Sequence, residues 1–304
     1  MKEGFIKKLR LRFTWQLHIL LIPAVLLVAI FSYIPMVGVV LAFQDFLPGR
    51  NFFGSVWVGL DNFKYLFALP DMGQVIFNTV FLSLLKIICL LFFSLIMALL
   101  LNEAAAHWFK RVCQTVFLFP FFLSWVILGG IFIDLFSMES GLSQFIFRLL
   151  NIEPQFFLGD GRWFRIILIL TNTWKDMGYN MVIFLAALTG IDPCLYESAT
   201  IDGANRPQQV WHITLPGIIP IAALLGILAI GGILNAGFDQ IFIMYNPLVY
   251  NAADIIDTYV YRLGLVDAQY SLATAAGLFK SFVGFFLLII SYRLANKYAG
   301  YRLF

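Results

Sequence analysis

Charge is what this chain has least of. Asp, Glu, Lys and Arg make up 12% of its 304 residues and hydrophobic residues 61%, whereas an average soluble domain is about one quarter charged. That shortage excludes an ordinary water-soluble globule. Catalytic signatures are missing too. No G-x-x-x-x-G-K-[ST] phosphate loop occurs, and the nearest sequence, GLFKS at 277–281, lacks the first glycine and the spacing. There is no H-E-x-x-H, no G-x-S-x-G, and only three histidines, His18, His107 and His212. His18 and His107 fall at membrane interfaces, where histidine is ordinarily solvated. The chain therefore shows no catalytic centre of its own, and its energy must come from an ion gradient or another subunit. Cys89, Cys113 and Cys194 are scattered through spans or at their inner ends. Three thiols so placed suggest neither a disulfide framework nor a metal site.

What is present is long apolar helix. A mean hydropathy of +0.88, with several runs beyond the ~18 residues that mark a membrane helix, reads as a polytopic, all-α membrane protein. Backbone groups in lipid must pair internally, so such runs are helical, and they are too long and unalternated for barrel strands. Six spans are expected, at 16–43, 78–101, 112–136, 164–187, 215–244 and 271–292.

Orientation follows from Lys and Arg in the short flanks. With the N-terminus inside, eleven cations (Lys2, Lys7, Lys8, Arg10, Arg12, Lys110, Arg111, Arg206, Arg293, Lys297 and Arg302) face the cytoplasm. Six (Arg50, Lys64, Arg148, Arg162, Arg165 and Arg262) face outward. Both termini are thus expected to be cytoplasmic, as is the connection between spans four and five. The basic start, 1–15, reads as an interfacial segment before an uncleaved first span. The run that follows it is too long for a secretory signal and lacks a cleavage site. The positive-inside bias accounts for the net charge of +3 without any nucleic-acid partner.

The fourth-to-fifth connection is unusually polar. Asp192-Pro193 should start a helix, with Asp as N-cap and Pro at the first position. It should run through Leu195, Tyr196, Ala199 and Thr200 and stop near Gly203, where glycine tolerates a left-handed turn. Asn205 can cap a second short helix, with Trp211, Ile213 and Leu215 leading back into the membrane at Pro216. Small residues Ser198, Ala199, Gly203 and Ala204 would permit close contact. A plain connection could be about five residues long; this one has the length and chemistry of a docking surface, although a solvated turn remains the simpler reading of its spacing.

The stretch from Glu197 reads E-S-A-T-I-D-G-A, then Asn205 to His212, then I-T-L-P. It resembles the EAA loop of binding-protein-dependent ABC permeases, E-A-A-x-x-D-G-A followed about eight residues later by I-x-L-P. Ser198 departs at the second motif position, and Pro207 and Val210 stand where the sugar branch usually has aromatics. Further stretches (LAFQDFLPGRNFFGSVWVGLDNF, ALLLNE, WKDMGYN, AALTGIDPCLYESA and DIIDTYVYRLGL) are similar to the maltose-permease-like branch that imports complex oligosaccharides and polysaccharide fragments. The resemblance spans nearly the whole chain. It implies a type I ABC importer permease fold in a bacterial cytoplasmic membrane: one permease domain over 1–304 with a coupling loop at 192–216. It implies as partners a second homologous permease chain, two ATPase subunits that bind MgATP, an extracellular solute-binding protein, an oligosaccharide substrate and membrane lipid. Glu197, Ser198, Ala199, Asp202, Gly203 and Ala204 would seat in a cleft of the ATPase, with Glu197 facing a basic residue there and Gly203 making the bend. This chain would hold no cofactor and no metal.

Charged residues within spans are costly, about 2.5–3.5 kcal/mol each on insertion scales. Trp174, Lys175, Asp176 and Tyr179 lie mid-span in the fourth helix; Asn235 and Asp239 stand i and i+4 in the expected fifth. Two readings stay open. One is an internal clamp, for instance Lys175 with Asp239. The other is a polar wall of a sugar path, which the resemblance favours because related substrate contacts flank the EAA loop. Lys86 and Lys280 read as interfacial or snorkelling residues. The segment 141–150 reads as an outer amphipathic helix, either receiving a binding protein or lying on the bilayer. The rival functions are a self-sufficient secondary sugar transporter, for which no internal repeat is evident, and a membrane enzyme, for which no cluster of acids or histidines is evident.

Overall fold

The structure, a computed structural model, describes residues 15, 18–47, 49, 54–104, 106–138, 141–149, 153 and 155–299. The expected basic segment lies, but for Trp15, outside the described residues. Helix α1 (His18–Phe43) crosses first and passes through a π turn, Ala29–Tyr33, into a 3-10 run, Ile34–Phe43. A two-residue antiparallel ladder follows, pairing Gln44 with Trp57 and Asp45 with Val56. The short α2 (Asp61–Ala68) then leads into α3 (Pro70–Glu103). Proline suits the first turn of α3, where its missing N–H would have no helical partner.

The third span is not one straight helix. α4 (His107–Leu118), extended by a 3-10 turn over Phe119–Phe122, meets α5 (Trp125–Phe136) at a bend of 98°. Pro120 lies in that turn, and Ser124 caps α5 by accepting from Ile127 N at 3.4 Å. α6 (Leu142–Leu149) packs on α5. α7 (Gly161–Leu188) starts at Asp160, whose carboxylate accepts from Arg162 N and Trp163 N. α8 (Pro193–Ile201) turns 69° away from α7.

The fifth span also differs from expectation. α9 (Arg206–Gly231) begins nine residues before the expected start at Leu215 and ends at Gly231 rather than near Met244. The separate α10 (Phe238–Met244) follows a non-helical break containing Gly237 at φ +91°. Short turns then lead through α11 (Ile256–Tyr261) to α12 (Tyr270–Ala299). Among the described residues four helices are long and apolar enough to cross a membrane, and up to six spans result when each bent pair counts as one.

α3 and α7 form the central pair. Leu82 of α3 clusters with Phe164, Ile167 and Leu168 of α7, and Ala98 and Leu101 cluster with Met181, Phe184 and Leu188. The contacts keep the same order along both helices, so the two run parallel, as second and fourth spans must. α7 is crossed by α4 at Gly178, where a Cβ would lie 2.0 Å from the Phe117 carbonyl oxygen. By contrast α1 buries none of its most apolar window, leaving residues such as Leu20 and Phe31 exposed. Surface of that kind is stable against lipid or another helix, not water.

Candidate functional site

The polar elbow is built from local capping. Asp192 accepts from Cys194 N at 2.9 Å and starts α8. At its far end Ala204 N donates to Ala199 O at 2.9 Å and Gly203 N to Thr200 O at 3.1 Å. Gly203 sits at φ +81°, a left-handed conformation that costs a residue with a Cβ and suits glycine. Asn205 and Gln208 then cap each other: Asn205 N donates to Gln208 Oε1 at 2.8 Å and Gln208 N to Asn205 Oδ1 at 3.0 Å. The second helix is not a separate piece, because Arg206 opens α9 and the chain passes through a π turn, Val210–Thr214, without leaving the helix.

Two ties that sequence reading missed fasten the elbow. Buried Gln209 donates from Nε2 to Thr200 Oγ1 at 3.0 Å and to Ala204 O at 3.2 Å. The Tyr196 hydroxyl meets Thr214 Oγ1 at 2.9 Å. Both link α8 to α9 across the turn, and neither has a local sequence signature. Glu197, Ser198, Asp202 and Gly203 are exposed, while Ala199 and Ala204 are half-buried. No ion-pair partner for Glu197 occurs among the described residues. On the same elbow Leu195, Ile201 and Trp211 stand exposed, Ile201 at 87%. Hollows of about 340 and 360 Å³ flank the turn, one bordered by Asp202 and His212, the other by Glu197 and Arg206. An exposed carboxylate on an elbow that also exposes large apolar side chains is the chemistry of a docking surface.

The in-membrane polar residues form a different arrangement from the expected one. Asp176 and Asn235 do meet, in a cleft of about 320 Å³ that also has Lys86, Trp125 and Asn172 in its wall. Asn172 Nδ2 donates to Asp176 Oδ2 at 2.7 Å. The helical face expected of Asn235 and Asp239 does not exist, because the backbone breaks between them; Asp239 is exposed in the first turn of α10. Nor does Lys175 clamp Asp239. Its ammonium donates to Phe121 O at 2.9 Å, lies 3.9 Å from Asp176 Oδ1, and sits over the Phe121 and Trp125 rings at 5.3 and 5.8 Å. Lys175 thus satisfies a carbonyl freed by the bend in the third span. Trp174 packs edge-on against Phe132, and Tyr179 stacks on Phe121 at 4.8 Å; neither lines the cleft.

Two lysines assigned to the interface are interior. Lys86, 6% exposed, donates to Ala236 O at 2.7 Å and Gln240 Oε1 at 2.5 Å. Gln240 in turn donates to Leu168 O and Thr171 Oγ1, both at 2.8 Å. Lys280 pairs with Asp257 at 2.5 Å. That pair lines a second cleft, about 410 Å³, which shares Gly232 and Asn235 with the first.

Residues 90–299 match the family described as binding-protein-dependent transport system inner membrane component. The chain belongs to that family. It is accordingly a multi-pass protein of the bacterial inner membrane, with the fold of an ABC importer permease. Over 288 residues it is 42% identical to Protein LplB of Bacillus subtilis, covering 95% of this chain and 91% of that one. It is 39% identical over 282 residues to the polygalacturonan/rhamnogalacturonan transport system permease protein YteP of the same organism, covering 93% and 88%. Among solved structures, a bacterial ABC transporter involved in import of the acidic polysaccharide alginate superposes with a TM-score of 0.86 at 35% identity, covering 95% of this chain and 97% of that chain. The same kind of transporter, in complex with its alginate pentasaccharide-bound periplasmic protein, gives 0.85 at 34%, with the same coverage.

Proposed function

We propose that the chain is one transmembrane half of an ATP-driven importer that takes up oligosaccharides or polysaccharide fragments delivered by an extracellular solute-binding protein. A second homologous permease chain supplies the other half of the path. Two ATPase subunits, which bind MgATP, supply the energy, and the chain itself is non-catalytic. Both termini and the elbow face the cytoplasm, as the Lys and Arg bias requires. The observation that carries this reading is the elbow: a rigidly capped, exposed surface joined to the two helices that reach the polar cleft.

The mechanics follow from that connection. α8 leads back into α7, which carries Asn172 and Asp176, and forward into α9, which ends at Gly231 four residues before Asn235 in the break that follows. Asp176 lies about 18 Å along α7 from its end at Leu188, at 1.5 Å per residue. Closure of the ATPase dimer would displace α8, and the Tyr196–Thr214 and Gln209 ties would pass the displacement to α9 as well as α7. Work enters only if the two states of the ATPase hold the elbow differently, since a partner with equal contacts in both states shifts nothing. Sugar hydroxyls would exchange hydrogen bonds with Asn172, Asp176 and Asn235, beside the Trp125 ring. The test is co-purification with an ATPase and vanadate-sensitive sugar uptake; an ion-gradient-driven uptake by the chain alone would overturn it.

A further inference from the structure

The fifth span is non-helical over 232–237, and one buried amide ties that break to two other spans. Gln240, 1% exposed, donates from Nε2 to Leu168 O and Thr171 Oγ1 of α7 and accepts from Lys86 Nζ of α3 on Oε1. The same ammonium donates to Ala236 O inside the break at 2.7 Å. Gly237 follows at φ +91°, where a Cβ would stand 3.3 Å from Lys86 Nζ. Non-helical backbone at membrane depth is tolerated where protein buries it or where it lines a cavity, and both hold here. Leu234 and Ala236 are buried, while Asn235 between them is exposed and borders both clefts. The Asn235 backbone N–H donates to Gly232 O at 2.8 Å; its side-chain amide makes no hydrogen bond among the described residues. Spans two, four and five thus meet at one node, next to an amide that nothing within the chain occupies. A buried polar network whose donors are satisfied rigidifies what it joins.

We propose that Gln240 is a positioning residue of the sugar path: it braces Lys86 against α7, the braced ammonium holds Ala236 O, and the break so fixed keeps the Asn235 amide turned toward the clefts. Without Gln240 the ammonium loses its brace and the break loses its tie to α7. Lys86 itself borders the cleft and is attracted by Asp176, so replacing it would change the charge there as well. Gln240 is neutral and lies outside the wall, which separates aim from charge. The proposal rests on the oligosaccharide reading above and adds to it a residue that touches no sugar.

The test uses the full importer, with its second permease, ATPases and binding protein, in vesicles loaded with ATP. The probes are tritium-labelled partial digests of polygalacturonan and of arabinan, and uptake is read per permease and per ATP hydrolysed. Gln240→Leu should lower uptake about fivefold, the loss of one hydrogen bond to sugar, and Asn235→Ala should do the same. The double variant should fall about fivefold as well, because a residue that acts through Asn235 has nothing left to aim. Losses that multiply to about twenty-five-fold give Gln240 a role independent of Asn235 and overturn the proposal. A silent Asn235→Ala beside an impaired Gln240→Leu overturns it too. If Gln240→Leu fails to insert, Thr171→Val, which removes one Gln240 acceptor behind the wall, carries the same comparison; it should lower uptake about twofold in the wild-type background and not at all in Asn235→Ala, and an equal loss in both backgrounds overturns the proposal. Failure of wild type to import either digest overturns the oligosaccharide reading itself, and the aim assigned to Asn235 with it.

Discussion

The Tyr196 hydroxyl and the Thr214 hydroxyl lie 2.9 Å apart, joining the helix before the Gly203 turn to the helix after it. The bond makes the elbow a closed frame rather than a hinge. Replacing Tyr196 by Phe removes one hydrogen bond, a net change of about 1 kcal/mol, without removing the ring. The expected outcome is coupling loss: sugar moved per ATP hydrolysed falls about fivefold while ATPase association persists, measured by paired uptake and phosphate release.

Glu197 and Gly203 should be far less tolerant. Glu197→Lys reverses an exposed charge on the elbow, and Gly203→Asp forces a Cβ into φ +81°. Each should abolish uptake while the protein still inserts, as read by membrane fractionation. Wild-type uptake and unchanged ATPase association in both variants would remove the elbow from the mechanism.

Gly178 holds the crossing of α4 over α7. A Cβ there would lie 2.0 Å from Phe117 O, and backbone cannot move aside as a flexible side chain can. Gly178→Val should destabilise the folded protein by about 3 kcal/mol, the upper end of ordinary overpacking. A lowered melting temperature in detergent, with reduced membrane abundance, is the readout.

Lys280 and Asp257 should be coupled. Removing one partner strands the other in a half-buried cleft; the single variants Lys280→Met and Asp257→Asn should each cost about 1–3 kcal/mol, reduced from the fully buried range because both side chains keep some exposure. The double variant should lose less than the two singles together, and a double-mutant cycle on thermal stability measures the difference.

The elbow was legible because its determinants are local. Asp192-Pro193, Gly203 and Asn205 each act within a few residues, so caps and turn fall where spacing places them. Nothing so local announces the Tyr196–Thr214 tie or the Gln209 clamp. The breaks in spans three and five were written in Pro120, Ser124, Gly231, Gly232 and Gly237, but an apolar run read only for length conceals them. Lys86 was misplaced for a different reason: its partners Ala236 and Gln240 lie 150 and 154 residues away, and only tertiary packing brings them to it. Once the fifth span ends at Gly231, Asn235 falls in the break and Asp239 on a separate helix, so the expected polar face between them dissolves.

The most direct measurement is concentrative uptake by vesicles containing the purified permease pair and binding protein, with ATP inside, in the presence and absence of the ATPase subunits. This account predicts accumulation only when the ATPase is present, and none when Glu197 is replaced by Lys. Accumulation against a gradient without the ATPase would contradict it.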